Sequence, residues 1–163
     1  MKRGLNYEKE VISSLRYWLP EAYIYKFPNL KNSVAVPGDI LMVVNDKLHC
    51  IECKSTKNSI GFDVKLIRPK QVELARKIVC NGGRFWLFIS NRCCNRNIST
   101  FILDEYHAFG LTKTFNNDEL INKTIKWLDI QDRSDFVATR KEGIIQLKPW
   151  IDRCIKFNRR QIL

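Results

Sequence analysis

Glycine and proline are scarce, with seven and five among 163 residues. That excludes collagen-like, linker-like and low-complexity chains. Long apolar runs are also missing. The longest, Ile40 to Val44 and Phe85 to Ile89, are about a quarter of the roughly 20 residues that a membrane span needs, so no membrane partner is expected. Met1-Lys2-Arg3-Gly4 is followed by polar residues through Glu10 rather than by the apolar stretch of a secretory signal. An intracellular location is therefore expected: cytoplasm or nucleoid, or the host cytoplasm for a viral protein. Acidic residues are in the minority, 17 against 28 Lys and Arg, for a net charge of +11. Such a surface attracts polyanions, of which nucleic acid is the commonest. No G-x-x-x-x-G-K-[ST] run occurs, so no nucleotide cofactor is expected. Histidine is nearly absent. His49 and His107 lack a Ser or Cys partner at triad spacing and read as structural.

What remains is the composition of a packed globular chain, 45% apolar and 28% charged, long enough for one core. One domain over 1–163 is expected, with 105–163 packed on a core formed by 1–104. The six cysteines, without an export signal, are expected to be free thiols. Cys50 and Cys53 have the spacing of a zinc pair. They lie in a strand-like run, however, where residues three apart face opposite sides of a sheet, so they read as small buried side chains.

Periodicity predicts a helix over Tyr7 to Leu19, with Val11, Leu15 and Trp18 on one face, Asn6 as its N-cap and Pro20 ending it. A short strand is expected at Tyr23 to Phe27 and a loop from Pro28 to Gly38. Asp39 to Val44 and Lys47 to Ser55 form a hairpin turning at Asn45-Asp46. Thr56 to Arg68 reads as irregular. A second helix starts at Pro69 and stops at Asn81-Gly82-Gly83. Phe85 to Ser90 reads as a central strand, and Ile98 to Asp104 as another. Beyond these, Asn117 to Leu128 looks helical, Ile144 to Leu147 strand-like and Trp150 to Phe157 helical. From Arg133 onward, eight Lys and Arg face three Asp and Glu. The expected fold class is α/β, a mixed central sheet flanked by helices.

The informative stretch is Pro37-Gly38-Asp39, then Asn45-Asp46-Lys47, then Ile51-Glu52-Cys53-Lys54. Glu52 and Lys54, two apart on a strand, share a face. A hairpin turning at Asn45-Asp46 brings Asp39 opposite them. Two carboxylates about 4 Å apart repel by roughly 4 kcal/mol at a partly buried site. A divalent cation cancels that repulsion, and hard oxygens on a rigid hairpin suit Mg²⁺. An E-x-K pair alone is common on surface hairpins. Here both strands are otherwise almost wholly apolar, so charges at their ends need a reason.

This pattern resembles the PD-(D/E)XK nuclease superfamily, with Pro-Gly-Asp where that family usually has Pro-Asp. It resembles archaeal-type Holliday junction resolvases more specifically, through Lys2-Arg3-Gly4 with Glu8-Lys9-Glu10 and through Asn45 to Lys57. The likeness spans Met1 to about Asp104. It implies a restriction-endonuclease-like fold and a homodimeric, metal-dependent endonuclease that cuts four-way DNA junctions, with Mg²⁺ as cofactor and Mn²⁺ substituting. Asp39 and Glu52 would bind the ion, with the Cys53 carbonyl as a further ligand and Glu8 acting through water. Lys54 would act on the attacking water. Glu10 competes with Glu8, but the two diverge by about 200° on a helix, and Glu8 shares the face of Val11, Ile12 and Leu15. Arg3, Lys9, Ser33, Lys57 and Gln71 are candidate DNA contacts, and Gln71 sits one turn into the second helix, where some other branches of the superfamily carry a Gln that touches the site. The loop before Asp39 and the segment from Tyr106 onward exceed a compact resolvase. Two other functions remain open: a superfamily nuclease acting on linear duplex, and a non-catalytic DNA-binding protein with a vestigial site.

Overall fold

The computed structural model describes residues 3–28, 36–93, 98–112 and 124–159. Helix α1 (Arg3–Trp18) opens the chain. The edge strand β1 (Tyr23–Lys26) leads to the hairpin β2 (Ile40–Val44) and β3 (Lys47–Thr56). Asn45 and Asp46 take φ of 48° and 59°, the left-handed pair that matches a two-residue turn to the twist of its strands. A short strand β4 (Gly61–Asp63) and one 3₁₀ turn precede α2 (Pro69–Cys80). Pro69 occupies the first turn of α2, where a missing N–H costs nothing. Strands β5 (Arg84–Asn91) and β6 (Ser99–Asp104), then α3 (Glu105–Thr112), follow. The later chain adds β7 (Thr124–Lys126), α4 (Trp127–Arg133), β8 (Phe136–Ala138), β9 (Arg140–Lys141), β10 (Ile144–Ile145) and α5 (Lys148–Arg159).

Six strands form one sheet in the order β1-β2-β3-β5-β6-β8. Only β3 and β5 are parallel, joined by the crossover through α2, and the other neighbours are antiparallel. This is the expected fold class, a mixed sheet with helices on both faces. Alternation along the strands divides the core in two. Ile51, Cys53, Trp86, Phe88 and Ile102 meet Tyr7, Val11 and Leu15 of α1 and Trp150 of α5. Cys50, Phe85, Leu87, Ile89 and Phe101 meet Val72 and Ala75 of α2, Ala108 of α3 and Ile130 of α4. Cys50 and Cys53 thus lie on opposite faces, both as free thiols, as strand geometry requires. The later chain belongs to the same packing: β8 extends the sheet beside β6, and Trp150 stands edge-on to Trp86 and Phe88 at 5.4 and 5.2 Å.

Four expectations need correction. Helix α1 continues back to Arg3, so Asn6 lies inside it. A residue that can cap does not force a start when the residues before it also tolerate helix. Thr56 to Arg68 is not irregular, because β4 pairs with β7, a partner over sixty residues away in sequence. Within the expected helix Asn117 to Leu128, the described part is strand β7, with helix only from Trp127. The alternation that marks a strand is too short to read in three residues. Helix α5 starts two residues before Trp150, at Lys148.

Candidate active site

Gly38 explains how Asp39 comes to lie against β3. A Cβ on Gly38 would sit 2.7 Å from both the Cys50 Sγ and the Ile51 carbonyl oxygen, so only glycine permits this approach. The Asp39 N–H then donates to the Ile51 carbonyl at 2.9 Å. Ile40 pairs with Ile51, which sets Asp39 opposite Glu52. The Asp39 carboxylate accepts the Cys53 N–H at 2.8 Å.

Glu52 is 1% exposed. It points to the α2 side of the sheet, in register with Leu87. Its Oε1 is paired with Lys54 and accepts the Gln71 side-chain amide at 2.9 Å. Gln71 is held in turn by accepting the Arg68 N–H at 3.2 Å, at the start of α2. The other oxygen of Glu52, Oε2, is buried with no hydrogen-bond partner. Glu8 lies on α1, 9% exposed, and pairs with Lys26 of β1 at 2.7 Å.

The electrostatics follow from this burial. Loss of water raises the Asp39 carboxyl to about 7, and the Glu52 charge pushes the same way. The Cys53 N–H and Lys54 oppose the rise, and Glu8 adds to it. Glu52 is also raised, by burial first, against the pull of Lys54 and Gln71. Two carboxyl groups that burial keeps from ionising readily thus lie side by side. Lys54 and Lys26 are the side-chain cations paired with Glu52 and Glu8.

The structure brings Asp39, Glu52 and Lys54 together, with Glu8 near enough to act on both carboxylates. Gln71 reaches into the site and donates to Glu52. Glu10 points elsewhere, to Arg92 and Arg140. Lys9 and Lys57 are exposed. Arg3 lies in the first turn of α1, its side chain outside the described residues, and Ser33 lies outside them altogether. Lys26 was not foreseen: its link to Glu8 depends on an edge strand whose partner starts fourteen residues later.

A second cluster was not foreseen either. Among the described residues, the His, Cys, Asp and Glu groups whose ligand atoms all fall within 4.8 Å of one another are Asp104, His107 and Asp135, not the hairpin carboxylates. That spacing suits a divalent ion. Each member also has a structural duty. Asp104 accepts the His107 N–H at 3.0 Å at the start of α3, and its carboxylate lies 3.0 Å from the His107 ring Nδ1. Asp135 accepts the Asp104 N–H at 2.8 Å and pairs with Arg153 at 3.2 Å. Asp104 and His107 stand three apart at a helix start, a readable signal, but Asp135 is distant in sequence. A cavity of about 440 Å³ between the hairpin and α2, lined by Pro37, Leu48, Leu74 and Ile78 among others, touches neither group.

No family model matches the sequence, and no curated protein matches it. Among solved structures, a Holliday junction resolvase from the archaeal hyperthermophile Archaeoglobus fulgidus is similar to this chain at 13% sequence identity and a TM-score of 0.48. The alignment covers 64% of this chain and 78% of the resolvase. No helix among the described residues is long and apolar enough to cross a membrane.

Proposed function

We propose that this protein is a divalent-metal-dependent endonuclease of one domain, acting as a homodimer on four-way DNA junctions. The observation that carries the proposal is the buried, unpartnered Oε2 of Glu52 beside Asp39. A buried carboxylate oxygen without a donor is costly, and a cation relieves it. The donors present are oxygens, which fits Mg²⁺ or Mn²⁺. Asp39 and Glu52 would hold the ion, with the Cys53 carbonyl and Glu8 contributing. When bound, such an ion offsets charge on a phosphodiester and makes water a stronger nucleophile.

The chain's own groups do the rest. The Cys53 N–H fixes the Asp39 carboxylate, and Gln71 fixes Glu52. Lys54 shares the face of Glu52, and its ammonium orients the attacking water and steadies developing negative charge. Water adds to phosphorus as the bond to the 3′ oxygen breaks, leaving a 5′-phosphate and a 3′-hydroxyl. The net charge of +11 supports a polyanionic substrate. Junction selectivity and a two-fold dimer are supported by the sequence resemblance alone: a two-fold pair of sites would nick opposing strands symmetrically.

The test is cleavage of a four-way junction beside a linear duplex built from the same arms, with Mg²⁺ or Mn²⁺. Faster, paired nicking of the junction is expected. Equal rates on both would leave a nuclease of linear duplex, and no cleavage with either ion would discard the hydrolytic reading.

A further inference from the structure

Glu10, two residues beyond Glu8 on α1, gathers two arginines that the candidate active site does not use. Arg92 Nη2 lies 2.6 Å from Glu10 Oε2, and Arg140 Nη2 pairs with the same oxygen. The two guanidinium groups come from opposite parts of the chain. Arg92 follows β5, with its N–H donating to the Thr56 carbonyl at 2.8 Å, at the end of the sheet where β3 and β5 finish. Arg140 lies on β9. The hairpin of β9 and β10 is pinned to α1, because Ser14 accepts the Ile145 N–H at 2.9 Å and Trp18 donates to the Ile145 carbonyl at 3.0 Å.

Two like charges that share one oxygen repel at close range, and one carboxylate cannot neutralise both. Each arginine keeps a buried Nε with no partner. The Arg92 guanidinium carbon also lies over the Tyr7 ring, 5.4 Å from its centroid. The pair is therefore a rigid fork with an uncompensated positive charge. Both side chains remain partly open to solvent, at 19% and 18%. Planar guanidinium forks of this kind match phosphate oxygens.

We infer that Arg92 and Arg140, assembled by Glu10, form a subsite for a backbone phosphodiester of a nucleic-acid strand, separate from the carboxylates at Asp39 and Glu52. The identity of the strand rests on the nuclease reading, but the subsite does not depend on catalysis. It binds without a metal, and Glu10 acts both as its anchor and as a competing anion.

The test is equilibrium binding of a fluorescently labelled DNA duplex in a chelator, across a range of salt, with folding of each variant checked by thermal melting. Arg140→Gln is expected to weaken binding roughly tenfold, the loss of one charged hydrogen bond, and to flatten the log-log salt slope by about 0.9. Arg92→Gln should do the same. Glu10→Gln should tighten binding a few-fold, because it removes the competing charge while its amide oxygen still accepts from the guanidinium groups and holds the fork. Arg140→Lys should keep the slope and lose affinity, and it serves if Arg140→Gln does not fold. Inorganic phosphate should compete poorly, since it lacks the neighbouring phosphates of a strand.

An unchanged slope in both arginine variants would overturn the subsite. So would weaker binding by Glu10→Gln in parallel with them, which marks a purely structural triad. Displacement of the duplex by inorganic phosphate as easily as by unlabelled duplex would also overturn it. A wild type that never cuts DNA yet shows these shifts keeps the subsite and loses the nuclease reading. A wild type that cuts with unshifted variants does the reverse.

Discussion

At the scale of single residues, burial sets the behaviour of the ionisable groups. His49 is 2% exposed, and its ring accepts the Trp86 indole N–H at 3.1 Å. Burial, with Arg84 and Lys47 nearby, lowers it to about 4. An unfolded histidine protonates near 6.5, so the unfolded state binds more protons between those values. The stability His49 contributes is complete above about pH 6.5 and is lost as pH falls toward 4. Between pH 7 and pH 5 the wild type should lose about 2 kcal/mol more than His49→Gln, which carries no such group. Urea unfolding at both pH values measures this, and equal losses would contradict it. Asp39 has the opposite sign. Its proton stays on in the fold up to about 7 but leaves the unfolded chain near 4, so the stability of the metal-free protein falls as pH rises through that window. A cation that replaces the proton restores it.

At the scale of elements, the hairpin of β2 and β3 was the most legible part of the chain. Two apolar runs, the Asn45-Asp46 turn and the carboxylates at the far end determine both its register and the meeting of Asp39 with Glu52. Helix α2 was equally legible, between Pro69 and Asn81-Gly82-Gly83. Elements whose partners are far away in sequence were not. β4 and β7 are three residues each, too short for a period to show, and their pairing needs the fold to bring them together. The same holds for the gathering of Glu10, Arg92 and Arg140, and for Asp135 beside Asp104. The role of Gly38 is a matter of close approach that no local pattern shows. Gly38→Ala should cost about 1–3 kcal/mol, because the added methyl meets the β3 backbone and Cys50. It should also weaken metal binding by shifting Asp39. Chemical denaturation checks the first effect, and an unchanged midpoint would contradict the tight contact.

At the scale of the whole molecule, two candidate cation sites lie on different strands of one sheet. Asp39 precedes β2, and Asp104 ends β6, three strand spacings or about 14 Å across. The hairpin site has an orphaned carboxylate oxygen and carboxyl groups pushed upward by burial first and by neighbouring carboxylates second. The Asp104 site has closer ligand atoms, but their hydrogen bonds already serve the chain. The whole protein can be asked which one takes the ion, because a ligand bound only to the folded state stabilises it by about 2.7 kcal/mol at a hundred times its dissociation constant. The measurement is thermal unfolding at pH 8 with and without Mn²⁺ for the wild type, Asp39→Asn, Glu52→Gln and His107→Gln. A rise in melting temperature that survives His107→Gln and vanishes in Asp39→Asn and Glu52→Gln is expected. A rise that survives the two hairpin substitutions and vanishes in His107→Gln would contradict it.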